Sequence, residues 1–356
     1  MVQHFFLRAC RKRWRAASMN AKTHRVKYYG KSLNAIGAVH ILMILIKCDP
    51  TTARCQMPQE ECDMDLTDVV YRDDGLPRRA RMGLYDQLIQ DGYCRLGSVL
   101  ERDMLGRLRT VTDCLLSDQN EDQSAAQRST GSMISVTEDA LFAELVAYPR
   151  ALDALAQLGF VHPRWSSGFV ISKPPDSPAL FWHQDWWGWN DISSYMPIPQ
   201  QLFLMYYLVD TSPNNGCLRL LRGSHLKRHQ MHDTVPDAHT DELRRMVDPD
   251  HPAYQSIAEE VDVPVRAGDL VIGDSRILHS AHANKSDARR TVITLWYHPF
   301  YDLLPEGLRA AIGRPRVPGN WSESAWQRVE DAGLTAHYEG NCEPTEWNRI
   351  PDSQLV

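Results

Sequence analysis

The chain has no CxxC pair among its eight cysteines, which argues against a zinc knuckle or a dithiol redox motif. It also has no apolar run long enough to cross a bilayer, because residues 33–46 would span only about 21 Å as a helix against a hydrocarbon core of roughly 30 Å. Its net charge of −6 gives no sign of a nucleic-acid partner. These absences indicate a globular protein with free thiols, no stable membrane insertion and no nucleic-acid partner.

Acidic residues are missing from residues 1–47, which carry ten lysines and arginines. Such a charge asymmetry is typical of an appendage. We therefore interpret residues 1–63 as a basic and apolar leader and linker that the fold does not need, and residues 64–356 as a single domain. Organelle targeting is the second interpretation and a membrane anchor the last. We expect a cytoplasmic protein, or a mitochondrial one if the basic N-terminus is a transit peptide.

The hydrophobic period changes along the chain. Residues 81–117 and 138–158 repeat at helical spacing, with a short strand near residues 91–97, and the polar residues 118–133 are typical of a loop. From Trp165 onward the period is two. Eight short runs separated by turn residues predict strands: Gly168–Ser172, Leu180–Trp186, Gln201–Val209, Cys217–Arg222, Val261–Val265, Leu270–Asp274, Arg276–His282 and Thr291–His298. This pattern predicts a mainly β fold with flanking helices, a jelly roll whose core covers about residues 165–300.

His183 and Asp185 are two residues apart on a predicted strand, so their side chains point to the same side. One imidazole beside one carboxylate is two-thirds of a facial 2-His-1-carboxylate iron site, which leaves three coordination positions open. His279 and His282 are the candidates for the third ligand. His279 follows two apolar residues and suits an inward position, whereas His282 should face the other way. The remaining histidines, His239 among them, have no partner at ligand spacing and are interpreted as surface or core residues.

Arg290 follows eleven residues after His279, at the start of a predicted strand. A dicarboxylate that chelates iron at one end needs a cation at the other. The arginine fork suits that role because it pairs with two carboxylate oxygens in one plane. Arg289 should face the opposite side.

These features resemble the phytanoyl-CoA dioxygenase (PhyH) family of iron(II)- and 2-oxoglutarate-dependent oxygenases over about residues 84–300. The resemblance rests on His279, Arg290 and five motifs: Asp91-Gly92-Tyr93, Lys173-Pro174-Pro175-Asp176-Ser177, His183-Gln184-Asp185, Asn214-Asn215-Gly216-Cys217-Leu218 and Gly223-Ser224-His225. It implies a double-stranded β-helix, the cupin-like form of the jelly roll. It also implies Fe(II), with 2-oxoglutarate and O2 as co-substrates. The residues that it assigns are His183, Asp185 and His279 as metal ligands, Arg290 for the distal carboxylate of 2-oxoglutarate, and Phe169 and Met205 as walls of the co-substrate site.

Three tryptophans, Trp186, Trp187 and Trp189, follow the iron motif directly. We expect one or two of them in the substrate pocket and the rest in the core. Trp186 and Trp189 are the pocket candidates, since Trp189 matches a pocket position in ectoine-hydroxylase-like relatives, and Lys173 is a further one. The family often has a hydroxyl-bearing residue two positions after the distal histidine. This chain has Ala281 there, so Ser280 or a water would have to replace that hydroxyl.

The resemblance implies oxidation of a small or amphipathic organic metabolite, with release of succinate and CO2. Asp185 favours hydroxylation over halogenation, because halogenating relatives have a small residue at that position. Two alternatives stay open: a non-catalytic jelly-roll module that binds a ligand or metal, and a cupin-type oxygenase independent of 2-oxoglutarate. Arg290 argues against the second. The sequence identifies neither the substrate nor the oligomeric state.

Overall fold

The structure is a computed structural model and describes residues 78–235, 239–313 and 319–356. All of them belong to the unit Asp63–Val356. The predicted leader, residues 1–63, lies outside the described residues. None of the helices within the described ranges combines the length and the hydrophobicity needed to cross a membrane.

Nine strands and nine α-helices are described in these ranges. The strands are β1 (Tyr93–Leu96), β2 (Ile134–Ser135), β3 (Arg164–Lys173), β4 (Leu202–Tyr207), β5 (Leu218–Leu220), β6 (Val261–Val263), β7 (Leu270–Asp274), β8 (His279–Ala281) and β9 (Arg290–His298). The helices are α1 (Arg78–Asp91), α2 (Arg102–Ser117), α3 (Glu121–Ala126), α4 (Leu141–Val146), α5 (Pro149–Gln157), α6 (Gln230–Thr234), α7 (Asp241–Arg245), α8 (Glu306–Ile312) and α9 (Glu323–Asp331).

The strands form two antiparallel sheets. The major sheet has the order β1-β7-β4-β9-β3-β2, and the minor sheet has the order β6-β5-β8. Most neighbours in the order are not consecutive in sequence, as in a jelly roll, whose strands are divided between two facing sheets. The predicted fold class is confirmed.

Strand β4 shows why the two sheets face each other. Its alternate residues Leu202, Leu204 and Tyr206 pack in one hydrophobic cluster with the helices, whereas Phe203, Met205 and Tyr207 pack with residues of the minor sheet. All six are buried, so β4 is covered on both faces. Successive side chains of a strand point to opposite faces, so the same strand supplies both the outer helical core and the inner wall between the sheets.

The outer core is built from helical residues at the expected spacing. In α2 the buried residues are Met104, Leu108, Thr112 and Leu116, every fourth position. The predicted helix over 138–158 is two helices, α4 and α5, because Pro149 begins the second one. The segment expected to be a loop contains α3, whose first turn is capped by reciprocal bonds between Asn120 and Gln123.

Seven of the eight predicted strands overlap observed strands. The exception is Leu180–Trp186, which runs beside β8 without forming a regular strand. His183 and His279 exchange backbone hydrogen bonds of 3.0 and 2.8 Å, but Trp182 donates its backbone N–H to Ala253 instead. The segment that carries the HxD motif is therefore hydrogen-bonded to β8 at His183. Its backbone changes direction after that residue.

Candidate active site

The turn after His183 is fixed by one carbonyl. The backbone N–H groups of Asp185 and Trp186 both donate to the carbonyl oxygen of Ser275, each at 2.8 Å. Ser275 directly follows β7 in the major sheet, while His279 lies on β8 in the minor sheet. The segment is thus hydrogen-bonded both to β8 and to the residue that follows β7, and the Asp185 carboxylate lies between the imidazoles of His183 and His279.

The three predicted ligands converge. Nε2 of His183 lies 3.6 Å from Oδ1 of Asp185, and Nε2 of His279 lies 3.7 Å from Oδ2. The two imidazole rings are 4.1 Å apart between centroids. His282, the alternative third ligand, instead bonds through Nε2 to Asp262 at 2.5 Å on the outer side of the minor sheet.

The histidines are oriented for metal binding. Nδ1 of His183 contacts the carbonyl of Phe181 at 3.0 Å, and Nδ1 of His279 contacts the carbonyl of Ile277 at 3.1 Å. A carbonyl can only accept, so these contacts place the proton on Nδ1 and leave Nε2 as a free ligand atom. Burial, and next the neighbouring His279, lower the pKa of His183 to about 3, which keeps it neutral near pH 7. Two imidazoles with free Nε2 atoms and a carboxylate are a donor set that fits Fe(II).

A buried cation lies in the same cavity. Arg290 begins β9, is 4% exposed, and its Nε has no hydrogen-bond partner among the described residues. No carboxylate in that part of the chain forms an ion pair with it. Burial lowers the pKa of Arg290, although an arginine keeps its charge in proteins. Thr294, four residues further along the same strand, has a buried hydroxyl that also lacks a hydrogen-bond partner in the part of the chain that the structure describes. A charged group that is desolvated without a partner is costly, so an anionic ligand fits this end of the cavity.

The predicted co-substrate walls lie in one row across three strands. Phe169 of β3 and Met205 of β4 are both register partners of Thr294 on β9. Met205 lines the cavity together with Thr294 and Arg290. Phe169 is half-buried and packs edge-on against Trp296 at 6.0 Å, and it is not among the described lining residues.

The hydroxyl missing at Ala281 has a different candidate from the one expected. Ala281 lines the cavity, but the Ser280 hydroxyl donates to the carbonyl of Leu180 at 2.6 Å and accepts from Nε of Arg219 at 3.1 Å. Ser280 is therefore occupied by structural bonds. Among the described residues of the lining, Thr294 has a hydroxyl without a hydrogen-bond partner.

The tryptophans that follow the motif do not reach the cavity. Neither Trp186 nor Trp189 occurs among its described lining residues, in contrast to the expectation of a pocket wall. Trp186 is fully buried and donates its indole N–H to Ser194 Oγ at 2.8 Å. Trp187 stacks on Trp347 at 4.9 Å, and Trp189 donates its backbone N–H to Asn348. The C-terminal segment covers these indoles, which sequence patterns do not reveal because the two stretches are far apart in the chain.

Lys173 also lies outside the cavity lining in the described part of the chain. Its side chain is completely buried, and Nζ donates to the carbonyls of Ser129 at 2.5 Å and Pro178 at 2.6 Å. Burial lowers the pKa of Lys173 well below its usual value. The amine joins two loops that flank the barrel, so the structure gives it a structural position instead of the expected pocket position.

Two residues of the site, Trp296 and His239, are not among those predicted from the sequence. The indole N–H of Trp296 donates to Oδ2 of Asp185 at 2.9 Å. His239 lines the cavity, with Nε2 3.8 Å from Oδ1 of Asp185 and its ring perpendicular to that of His183 at 4.7 Å. His183, Asp185 and His239 lie close enough that geometry alone admits His239 as a metal ligand. From the sequence, His239 is expected on the surface or in the core. The structure places it in the lining of the active-site cavity instead.

A jelly roll whose inner cavity brings together two histidines, an aspartate and a buried arginine defines an iron-binding oxygenase architecture. The family model described as Phytanoyl-CoA dioxygenase (PhyH) matches residues 88–292, more than half of the chain. The chain belongs to the phytanoyl-CoA dioxygenase family, and its site fits the iron(II), 2-oxoglutarate and O2 that this oxygenase type uses.

Two curated proteins are similar in sequence to part of this chain. The chain is 25% identical over 251 residues to the ectoine dioxygenase of Nocardia farcinica, which covers 65% of this chain and 82% of that protein. It is 29% identical over 133 residues to phytanoyl-CoA dioxygenase 1 of Oryza sativa subsp. japonica, which covers 36% of this chain and 42% of that protein.

Two solved structures among those similar to this chain are as follows. The alpha-ketoglutarate-dependent epimerase SnoN from nogalamycin biosynthesis matches with a TM-score of 0.47 and 22% identity, over 62% of this chain and 84% of that one. EctD from S. alaskensis with 2-oxoglutarate and 5-hydroxyectoine matches with a TM-score of 0.46 and 19% identity, over 64% of this chain and 78% of that one.

Proposed function

We propose that this protein is an iron(II)- and 2-oxoglutarate-dependent dioxygenase that hydroxylates a small or amphipathic organic metabolite. The observation that carries the proposal is the occurrence of two sets of groups in one cavity. His183 and His279 flank Asp185 with free Nε2 atoms, and Arg290 lies buried there without a counter-ion among the described residues. Bound iron with 2-oxoglutarate and O2 would supply the oxidising power, with succinate and CO2 as by-products.

The residues of this chain would bind the metal, bind the co-substrate and exclude water. His183, Asp185 and His279 would hold the metal on one face and leave the other face open. Arg290 would pair with the distal carboxylate of 2-oxoglutarate, with the Thr294 hydroxyl beside it, and so fix which end of the co-substrate points at the metal. The apolar lining, to which Met133, Leu180 and Val292 contribute, would exclude water and hold the substrate C–H bond in place.

Hydroxylation is proposed over halogenation because Asp185 is present and lies between the two histidines. A chain with a small residue there would leave a coordination position for a halide. The relatives named ectoine dioxygenase make ectoine the first compound to test. A cytoplasmic location is proposed because the four cysteines in the described part of the chain are all free, as is usual in a reducing compartment.

The test is succinate formation from 2-oxoglutarate with iron(II) and ascorbate in air, first without substrate and then with ectoine and related metabolites. We expect slow succinate formation by the wild type and none by His279→Ala. Arg290→Ala should weaken 2-oxoglutarate binding at least about tenfold, since a buried charged hydrogen-bond partner is removed. Arg289→Ala is the matched control, because Arg289 precedes β9 and is not among the described residues that line the cavity.

Three results would reject the proposal or part of it. Unchanged 2-oxoglutarate binding in Arg290→Ala would reject the co-substrate site. Oxygen consumption without succinate would favour the cupin-type oxygenase. Metal binding with no turnover for any compound in the screen would favour a binding module.

A further inference from the structure

A second group of metal-ligand side chains lies outside the active-site cavity. Cys217 directly precedes β5, Asp262 is the central residue of β6, and His282 directly follows β8. These strands are the three neighbours of the minor sheet, with β5 in the middle. The thiol, one carboxylate oxygen and one imidazole nitrogen all lie within 4.8 Å of one another.

The three side chains share the outer side of the sheet. Leu218 and Ala281, their chain neighbours, are register partners and line the active-site cavity. Successive residues of a strand point to opposite faces, so Cys217 and His282 point away from that cavity. The backbone N–H of His282 donates to the Cys217 carbonyl at 3.0 Å, which holds the two residues side by side. The group therefore shares no side chain with His183, Asp185 and His279, although the Cys217 thiol lies near enough to Arg290 for their charges to interact.

We propose that Cys217, Asp262 and His282 form a zinc site. A sulfur, a nitrogen and an oxygen donor suit Zn²⁺, which binds Cys, His and carboxylate ligands in tetrahedral geometry. With Zn–S near 2.3 Å and Zn–N near 2.0 Å, tetrahedral ligand atoms lie roughly 3.3–3.7 Å apart. Separations of at most 4.8 Å, and the direct contact of 2.5 Å between His282 Nε2 and Asp262 Oδ1, thus differ from those distances by at most about 1.5 Å.

The exposure of the three residues would let an ion enter from solvent and reach a buried ligand. Cys217 is fully buried, whereas the side chains of His282 and Asp262 are 20% and 41% exposed. An ion arriving from solvent would meet the carboxylate and the imidazole first and the thiol last. A water molecule would complete four-fold coordination on the open side. Nearby Arg219 does not compete for Asp262, since it already pairs with Glu260 at 3.1 Å.

Binding would convert the Cys217 thiol to a thiolate. Zn²⁺ forms a bond to sulfur, the S–H bond breaks, and the proton goes to solvent, with no change in oxidation state. Without a metal the thiol stays protonated, because burial, and next the Asp262 charge, raise the pKa of Cys217 to about 12.

Cobalt(II) is the probe, because a cobalt–thiolate bond gives an intense near-ultraviolet band that histidine and carboxylate ligands do not give. The active site has no sulfur among its assigned ligands, so the band reports on a cysteine site alone. The experiment uses the full chain already loaded with iron at the first site, under anaerobic conditions. We expect the band to reach its maximum at one cobalt per chain and zinc to displace it.

Variants decide which cysteine is bound. Cys217→Ser should abolish the band, and His282→Gln should weaken cobalt binding at least about tenfold. Two controls should keep the band: Cys114→Ser, at an exposed free cysteine, and a triple variant with Cys48, Cys55 and Cys62 changed to Ser. The absence of a band in the wild type, or its persistence in Cys217→Ser, would overturn the proposal. Should Cys217→Ser fail to fold, unchanged binding in His282→Gln would overturn it equally.

Discussion

The indole N–H of Trp296 donates a hydrogen bond of 2.9 Å to Oδ2 of Asp185, the carboxylate between the two predicted histidine ligands. Trp296 lies on β9, the strand that begins with Arg290, so a single strand carries both the buried arginine of the cavity and the indole that contacts Asp185. Partners that orient metal ligands are worth about 10- to 100-fold in metal affinity. We therefore expect Trp296 to act as a positioning residue that orients the Asp185 carboxylate.

Trp296→Phe should weaken metal binding by about tenfold or more while keeping the fold, because phenylalanine retains an aromatic ring against Phe169 but has no N–H to donate. The measurement is the affinity for Fe(II) or Co(II), with 2-oxoglutarate binding as a second readout. Trp165→Phe is the matched control, since Trp165 is a buried indole on neighbouring β3 that packs with the helices. Equal metal affinities in the two variants would contradict the assigned role.

The buried Lys173 should act on stability and not on substrate choice. Lys173→Met removes the two hydrogen bonds from Nζ to the carbonyls of Ser129 and Pro178 and leaves both acceptors without that partner. We expect the free energy of unfolding to fall by about 1–3 kcal/mol. Urea unfolding measures this, with Lys285→Met at an exposed position as the control. A variant with unchanged stability but altered substrate preference would indicate that Lys173 contacts the substrate, as predicted from the sequence.

The sequence predicts the parts of this fold that local pattern determines. Period-two hydrophobicity places seven strands because each strand is covered on at least one face. The HxD motif identifies His183 and Asp185, although the strand on which it is predicted to lie does not form. Leu180–Trp186 fails as a regular strand because its apolar residues pack around a turn: Phe181 and Trp182 belong to a separate hydrophobic cluster, and Asp185 is turned by the Ser275 carbonyl.

Contacts between distant stretches are what the sequence does not predict. Trp187 stacks on Trp347, which comes 160 residues later, so the indoles next to the motif look like a pocket wall until their cover is known. His239 and Asp241 share the HxD spacing of His183 and Asp185, but Asp241 is exposed at the start of α7, and only the folded chain brings His239 against His183. Trp296 is one of several aromatic residues in the barrel strands, and its bond to Asp185 has no local signature.

His239 should contact substrate and not serve as a required metal ligand. Nδ1 of His183 and Nδ1 of His279 each bond to a backbone carbonyl, as is usual for ligand histidines. By contrast, Nε2 of His239 is buried and has no hydrogen-bond partner among the described residues. A buried polar atom of this kind gains most from a ligand that pairs with it.

We therefore expect His239→Leu to bind Co(II) almost as tightly as the wild type and to form succinate without substrate, but to lose turnover of the true substrate. The matched variant His279→Leu should lose metal binding by about 100-fold or more. If His239→Leu lost metal binding to the same degree, His239 would have to be counted among the ligands.

His298 should make the protein less stable in mild acid. It ends β9, is fully buried, and contacts the carbonyl of Gln200 through Nδ1 at 3.1 Å. Burial lowers the pKa of His298 to about 4 in the folded chain, from an ordinary value of 6.5. Between these two values the unfolded chain binds a proton that the folded chain does not, so the free energy of unfolding falls as the pH falls.

The contribution of His298 is complete above about pH 6.5 and is lost as the pH approaches 4, on the order of 3 kcal/mol in all. His298→Asn keeps an N–H donor for the Gln200 carbonyl but does not titrate, so its stability should depend less steeply on pH over this window. The measurement is urea unfolding between pH 7 and pH 4 for both proteins without metal, with His162→Asn at an exposed position as the control. Parallel curves for wild type and His298→Asn would show that His298 is protonated equally in the folded and unfolded chains, and burial would then not explain any acid sensitivity.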